Sequence, residues 1–297
     1  MIIEYDDSIE KQKFSAFSKE LEALGIEGTD KEGYYNLGEI SHPTVALDRY
    51  KLSSLENGGL IKYLFTEAPF PVGTLYDGVN TYWFKYDGTW PATIDSLVHL
   101  RGQKQSESLS LADKVLDIGC GTGIAGNYAY KKNQNIKQID FADINPNNVK
   151  TALMNTGTKT GIISNGFDNI KEKYDVILAS AVPAMPVYPG LKREINPLFE
   201  GTAFLENILK NTSDHLNKNG KLILSHASMS ENVFQDLAKK YGIKVKGLDN
   251  REIAFREEFL QDADWVKYLI ELGGLRNEEK DGHKYWFDLK VRELSFE

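Results

Sequence analysis

The stretch KVLDIGCGTG, Lys114 to Gly123, decides the fold. Val115, Leu116 and Ile118 make a short apolar strand interrupted only by Asp117, and Gly119, Gly121 and Gly123 follow it at alternate positions. A backbone with glycine at every second residue can turn sharply and let a ligand come close, both of which side chains obstruct. Gly123–Lys132 then reads as a helix, so the stretch is a strand, a tight loop and a helix in immediate succession.

Working outward, strand and helix patterns alternate. Lys114–Ile118, Ile136–Ala142, Gly161–Ser164, Asp175–Ala179, Lys221–Ser225, Ile243–Leu248 and, last, Lys284–Leu294 predict seven strands. Helical stretches at Gly123–Lys132, Asn147–Thr156, Phe199–Leu216 and Glu231–Tyr241 lie between them. This rhythm predicts an α/β fold: a doubly wound, mostly parallel seven-stranded sheet covered on both faces. Upstream, Ile9, Phe14, Phe17, Leu21 and Leu24 predict a helix ending at Gly25, and a second begins at Ser41 and runs through Leu52. The pattern then turns to period two, with Leu75–Gly78 and Thr81–Gly88 reading as a hairpin. Asp95–Leu100 starts another helix, and the polar stretch Gln103 to Ser110 reads as a loop. The expected organisation is an appendage of helices and hairpin over 1–110, a domain over 111–297, and an amphipathic insertion near 257–280 that covers the site or serves a partner subunit.

Two cofactors compete for the glycine loop. Gly121-x-Gly123-x-x-Gly126, with Asp143 about 20 residues on, satisfies a dinucleotide fingerprint. Against it, Asp117 sets a carboxylate at the end of the first strand, which repels a pyrophosphate and suits a positively charged ligand. Asp117 followed by Gly119, Gly121 and Gly123 resembles motif I of the class I methyltransferases, whose fold is Rossmann-like. Asp143-Ile144-Asn145-Pro146 resembles the acidic end of their second strand. The resemblance implies S-adenosylmethionine as cofactor. It implies that Asp117 meets the methionine end, that Gly119, Gly121 and Gly123 line the donor, that Asp143 accepts from both ribose hydroxyls, and that Ile144 lies beside it. At the end of the third strand Asn165 takes the place of the family's adenine-reading acid. Plain turn chemistry also explains Ser164-Asn165-Gly166.

Trp90-Pro91-Ala92-Thr93-Ile94-Asp95-Ser96 looks like the segment that closes over the donor in the methyltransferase-small, or release-factor glutamine methyltransferase, group, which makes Asp95 a donor contact. In amino-methylating members the fourth strand runs into Asn-Pro-Pro-Tyr. Here the residues are Ser180-Ala181-Val182-Pro183-Ala184-Met185-Pro186. Methyl transfer needs the acceptor lone pair in line with the sulfonium methyl, so positioning supplies much of the catalysis. Ser180 is the candidate to orient the acceptor, Pro183 to hold the loop, and His226, after the fifth strand, to act as a general base.

The chain has 297 residues, 41% hydrophobic and 26% charged, as expected of a soluble protein with a sizeable core. A net charge of −8 weighs against extended contact with a phosphate backbone. No apolar run suits a bilayer, the acidic N-terminus is unlike a signal peptide, and the single cysteine, Cys120, admits no internal disulfide. These features predict a cytoplasmic protein. The five histidines are scattered without metal-ligand spacing, so no metal is expected. The expected acceptor is a protein side chain or a small molecule. A non-catalytic donor-binding scaffold, a nucleic-acid base methyltransferase and a nicotinamide enzyme stand as alternatives.

Overall fold

The computed structural model describes residues 94–297 except 122, 159, 181, 183, 196–199, 256–259, 261, 281–282 and 297; upstream of 94 it describes the short strands 2–4, 28–29, 34–35, 62–64, 72–76 and 81–85. The helices expected over 9–24 and 41–52 lie outside the described residues. The expected hairpin is present: Val72–Tyr76 pairs antiparallel with Thr81–Lys85, Tyr76 opposite Thr81.

The central strands are β1 (Lys114–Ile118), β2 (Gln138–Asp143), β3 (Thr160–Ile163), β4 (Tyr174–Ala179), β5 (Leu216–Ala227), β6 (Lys244–Ala254), β7 (Arg276–Lys280) and β8 (His283–Ser295). They join in the order β3-β2-β1-β4-β5-β8-β6. β1 to β5 run parallel, and β8 is antiparallel to β5 and β6 on either side of it. This is the seven-stranded, doubly wound sheet. Ile2–Glu4 adds to the β3 edge and β7 to β8, both antiparallel. Val176, Ile177, Leu178 and Ala179 are all buried, as are Leu222, Ile223 and Leu224, because helices cover both faces of these strands.

On one face α1 (Ile94–Lys104), α3 (Ile124–Lys132), α4 (Pro146–Thr156) and α7 (Ala263–Glu271) contribute Val98, Ala125, Ala129, Leu153, Trp265 and Leu269 to one core. On the other, α5 (Ala203–Asn211) and α6 (Glu231–Lys240) bury Leu205, Ile208, Leu209, Phe234 and Leu237. These are the i, i+3 and i+4 positions of two amphipathic helices. The expected loop over 103–110 is instead helical. α1 continues to Lys104, and α2 (Glu107–Ser110) follows a cap in which the Ser106 hydroxyl accepts from Leu109 N at 3.1 Å. Ser106 also donates to Glu293 at 2.5 Å, and Val98 and Leu109 share the core of the sheet. The amphipathic insertion is α7, whose Asp262 cap accepts from Trp265 N at 3.0 Å; its apolar face packs inward rather than standing free.

The chain leaves β1 toward β2 and β3 on one side and toward β4 and β5 on the other. Ligands of such sheets bind beyond the carboxyl ends of the strands at this switch point. Gly123 is indispensable to the crossover there. Its φ is +76, and a Cβ would lie 2.5 Å from Ala152 Cβ and 2.7 Å from Ala152 Cα. Gly123→Ala is expected to cost about 3 kcal/mol, one part backbone and the rest overpacking, lowering the melting temperature by roughly 10 °C. Gly157→Ala has a similar φ of +81 and open space, so it should lose only the backbone part. Equal losses in thermal melts of the two variants would refute the packing account.

Candidate active site

Gly119, Gly121 and Gly123 take φ values of 63, 52 and 76, all in the left-handed region that side chains disfavour. Cys120 N donates to Ala142 O at 3.0 Å, laying the loop against the end of β2. The Asp143 carboxylate fixes it from the other side. Its Oδ2 accepts from Gly121 N at 2.9 Å, and its Oδ1 accepts from Asn145 N at 2.8 Å and from the Asn148 amide at 3.1 Å. The acid at the end of β2 therefore organises the glycine loop.

Asp117 points under the loop. Its Oδ2 accepts from Gly126 N at 2.8 Å, and the side chain is only 1% exposed. A Cβ on Gly126 would lie 2.9 Å from this carboxylate, so a glycine at 126 is what lets α3 settle onto Asp117. The second oxygen, Oδ1, is buried without a hydrogen-bond partner. Burial pushes the Asp117 pKa up to about 8; the Gly126 N–H opposes this and the charge of Asp143 adds to it. An unpaired carboxylate oxygen in a dry site costs free energy until a donor or a cation reaches it. A positively charged amino-acid end suits that position.

Around the same turn of α3 stand polar groups that motif reading missed. Gln103 donates its amide to Ala125 O at 3.1 Å and leaves Oε1 unpartnered. His99, one helical turn earlier on α1, is buried with both ring nitrogens unpartnered, and burial pulls its pKa down to about 3. Asn127 is buried with neither amide atom paired. The signal available in the sequence was the polar pair His99 and Gln103 at i, i+4 on a helix leading into the glycine loop.

The register places the remaining candidates. Ile118 pairs with Ala142, Asp143 with Ile163, and Leu178 with Asp117. Gly119, Asp143, Ser164 and Ser180 thus emerge together at the carboxyl edge. Ile144 is 67% exposed, an uncommon state for a large apolar residue, and offers a bare face beside Asp143. Asn165 stands exposed in a turn held by Ser164, whose hydroxyl donates to Gly166 O at 2.8 Å and accepts from Asn169 N at 3.0 Å. Asp95 lies in the first turn of α1. Ser180 follows β4 directly, half-buried, its hydroxyl without a partner. Pro183 lies outside the described residues.

His226 is not brought to the acceptor side. Its ring stacks on Phe234 at 4.3 Å, with Nδ1 3.2 Å from Ala227 O and Nε2 3.9 Å from Glu231. It is 1% exposed, and burial together with Arg292 draws its pKa down to about 4. The imidazole is enclosed between β5 and α6, with its ring against Phe234. Strand position alone put it at the right end of the sheet; the stack on Phe234 turns it away.

The profile of the methyltransferase small domain matches residues 103–243, the span that holds this loop, both acids and Ser180. Over this segment the chain carries a methyltransferase small domain. The chain is 28% identical over 116 residues to ribosomal RNA small subunit methyltransferase C of Psychromonas ingrahamii, a match covering 38% of this chain and 30% of that protein. It is 27% identical over 123 residues to the protein of the same name from Hamiltonella defensa, covering 40% and 33%. The chain thus matches about a third of the length of these curated relatives. Among solved structures it is similar to a ribosomal protein L11 methylase from Lactobacillus delbrueckii subsp. bulgaricus, with a TM-score of 0.43, 13% identity, and 68% and 79% of the two chains covered.

These relatives overturn the expectation, drawn from net charge, that nucleic-acid contact is disfavoured, since both are named for ribosomal RNA. The physical fault lay in averaging. Residues 1–110 hold 17 acidic and 10 basic side chains, whereas residues 111–297 hold 26 and 25. Residues 111–297 are close to neutral, and whole-chain charge says little about the surface beside the glycine loop. Among the described residues no helix is long and apolar enough to cross a membrane.

Proposed function

We propose that the chain transfers a methyl group from S-adenosylmethionine to a base of structured RNA, with small-subunit ribosomal RNA as the first substrate class to test. The observation that carries this reading is the glycine loop framed by two acids, Asp117 with a free buried oxygen and Asp143 at the loop's edge, in a chain similar over part of its length to two ribosomal RNA methyltransferases. When bound, the donor supplies an electrophilic methyl on a positively charged sulfur. Gly119 and Gly121 give it close backbone approach, Ile144 takes the purine face, and Asp143 takes the ribose. Asp117 Oδ1 meets the ammonium of the methionine end, and Asp95 at the start of α1 closes over it. Ser180 emerges at the level of Gly119, on the neighbouring strand, where its unpaired hydroxyl can accept from or donate to a base edge.

The test is transfer of labelled methyl to small-subunit ribosomal RNA, with transfer RNA and a protein extract as competing acceptors. Ribonuclease-sensitive label is expected, and Ser180→Ala should slow turnover about tenfold while leaving donor affinity unchanged. Label found only in protein would reverse the acceptor reading. Donor binding without turnover on any acceptor would support the non-catalytic scaffold, which the missing Asn-Pro-Pro-Tyr motivates.

A further inference from the structure

The segment that leaves β4 is tied at Pro186 and at Arg193 to residues distant in sequence. Gly201 N donates to Met185 O at 2.8 Å, and Met185 bridges to Glu200, so the segment closes on itself. The Glu200 side chain, 1% exposed, accepts from both terminal nitrogens of Arg193, at 2.8 and 2.5 Å. Arg193 Nε donates to Asp262 at 3.0 Å, and the guanidinium lies 5.5 Å over the Trp265 ring. Trp265 in turn donates Nε1 to Pro186 O at 2.7 Å. Asp262 and Trp265 belong to the start of α7, the insertion that the sequence singled out.

A buried carboxylate matched by a planar, bidentate cation is a poor way to gain stability, since apolar side chains of the same volume often do as well. What the arrangement provides is a single geometry. Arginine's fork fixes the approach of Glu200 and its flat face fixes that of Trp265, which lysine cannot do. The residues so held, Met185, Pro186, Arg193 and Glu200, follow Ser180, where the Asn-Pro-Pro-Tyr of amino-methylating members is missing.

We infer that Arg193, clamped between Glu200, Asp262 and Trp265, is a positioning residue that shapes the acceptor side of the site from the α7 insertion. The inference rests on the methyl-transfer reading, and it makes α7 part of the acceptor machinery while leaving the donor side alone.

The decisive protein is the double variant Arg193→Met with Glu200→Met, which removes the buried charge together with its partner and so stays folded. Its melting temperature should fall within a few degrees of the parent, and its affinity for S-adenosylhomocysteine within twofold. Its kcat on small-subunit ribosomal RNA should drop at least 30-fold, with Arg193→Lys in between. Amide exchange across 180–201 should quicken tenfold or more while α6 is unchanged. Full kcat in the folded double variant, or donor affinity that falls in step with kcat, overturns the inference. Exchange across 180–201 needs no acceptor, so if the parent binds donor yet methylates no RNA, the acceptor reading fails separately and unchanged exchange still refutes the clamp. A second variant, Trp265→Phe, keeps the ring and removes the bond to Pro186; it should reproduce part of the loss in kcat.

Discussion

Asp117→Asn is expected to melt higher than the parent at pH 7 and to bind S-adenosylhomocysteine at least 100-fold more weakly. Both effects come from one buried carboxyl. In the folded chain burial lifts its pKa to about 8, well above the ordinary carboxylate range. A raised acid holds its proton in the folded state while the unfolded chain has already released it. Stability is therefore greatest below the unfolded pKa, falls as pH rises between roughly 4 and 8, and levels off above. At pH 7 the deficit is on the order of 4 kcal/mol. Asparagine removes it, because its amide oxygen still accepts from Gly126 N and carries no charge to bury. Donor affinity moves the other way. The methionine ammonium needs the ionised carboxylate, so binding to the parent should strengthen about tenfold per pH unit from 6 toward 8 and then flatten, and the variant should show no such slope. Melts at pH 5, 7 and 8 with calorimetry at pH 6, 7 and 8 measure both. A destabilised variant that binds the donor normally would sink the assignment of Asp117 to the ammonium.

How much of this was legible without coordinates differs between fold and site. β1 matches the sequence reading residue for residue, and β2, β3 and β4 do so within two, because strands buried on both faces read as short apolar runs. β5 was cut short at Lys221. Asn219-Gly220 reads as a turn, and Asn219 does take φ 67, but the strand passes through it with a register shift against β4. The 103–110 helices were hidden because Leu109 is the only large apolar residue among Gln103 to Ser110. The glycine loop announced itself through a backbone requirement, which sequence records directly. The burial of Asp117 did not, since an acid on an apolar strand looks the same whether its end is open or covered. The Arg193–Trp265 clamp was illegible for a simpler reason: its partners lie 69 and 79 residues apart, and no local period connects them.

Asp143→Asn is expected to abolish the chain's discrimination between S-adenosylhomocysteine and its 2′-deoxy and 3′-deoxy analogues. A carboxylate has about four acceptor positions, and three are filled by Gly121 N, Asn145 N and the Asn148 amide. One ribose hydroxyl can bond the remaining position on Oδ2 directly. The other needs Oδ1, from which the Asn148 side chain must first withdraw. Each charge-assisted bond is worth about 1.5–3 kcal/mol, so the parent should bind each deoxy analogue roughly 10- to 100-fold more weakly. The two analogues should differ, because only one hydroxyl displaces a protein donor. Asn148→Ala should narrow that difference. In Asp143→Asn one oxygen has become an NH2 group that repels the donors of the loop and the ribose alike, so overall affinity should fall more than 100-fold and the three ligands should converge. Affinity loss alone would not decide the matter, since Asp143 also anchors Gly121 and its removal loosens the loop. Convergence decides it, because a loosened loop weakens all three ligands equally and leaves their ratios as they were. Ratios that survive in the variant would reassign the ribose hydroxyls to another group and leave Asp143 as the anchor of the glycine loop.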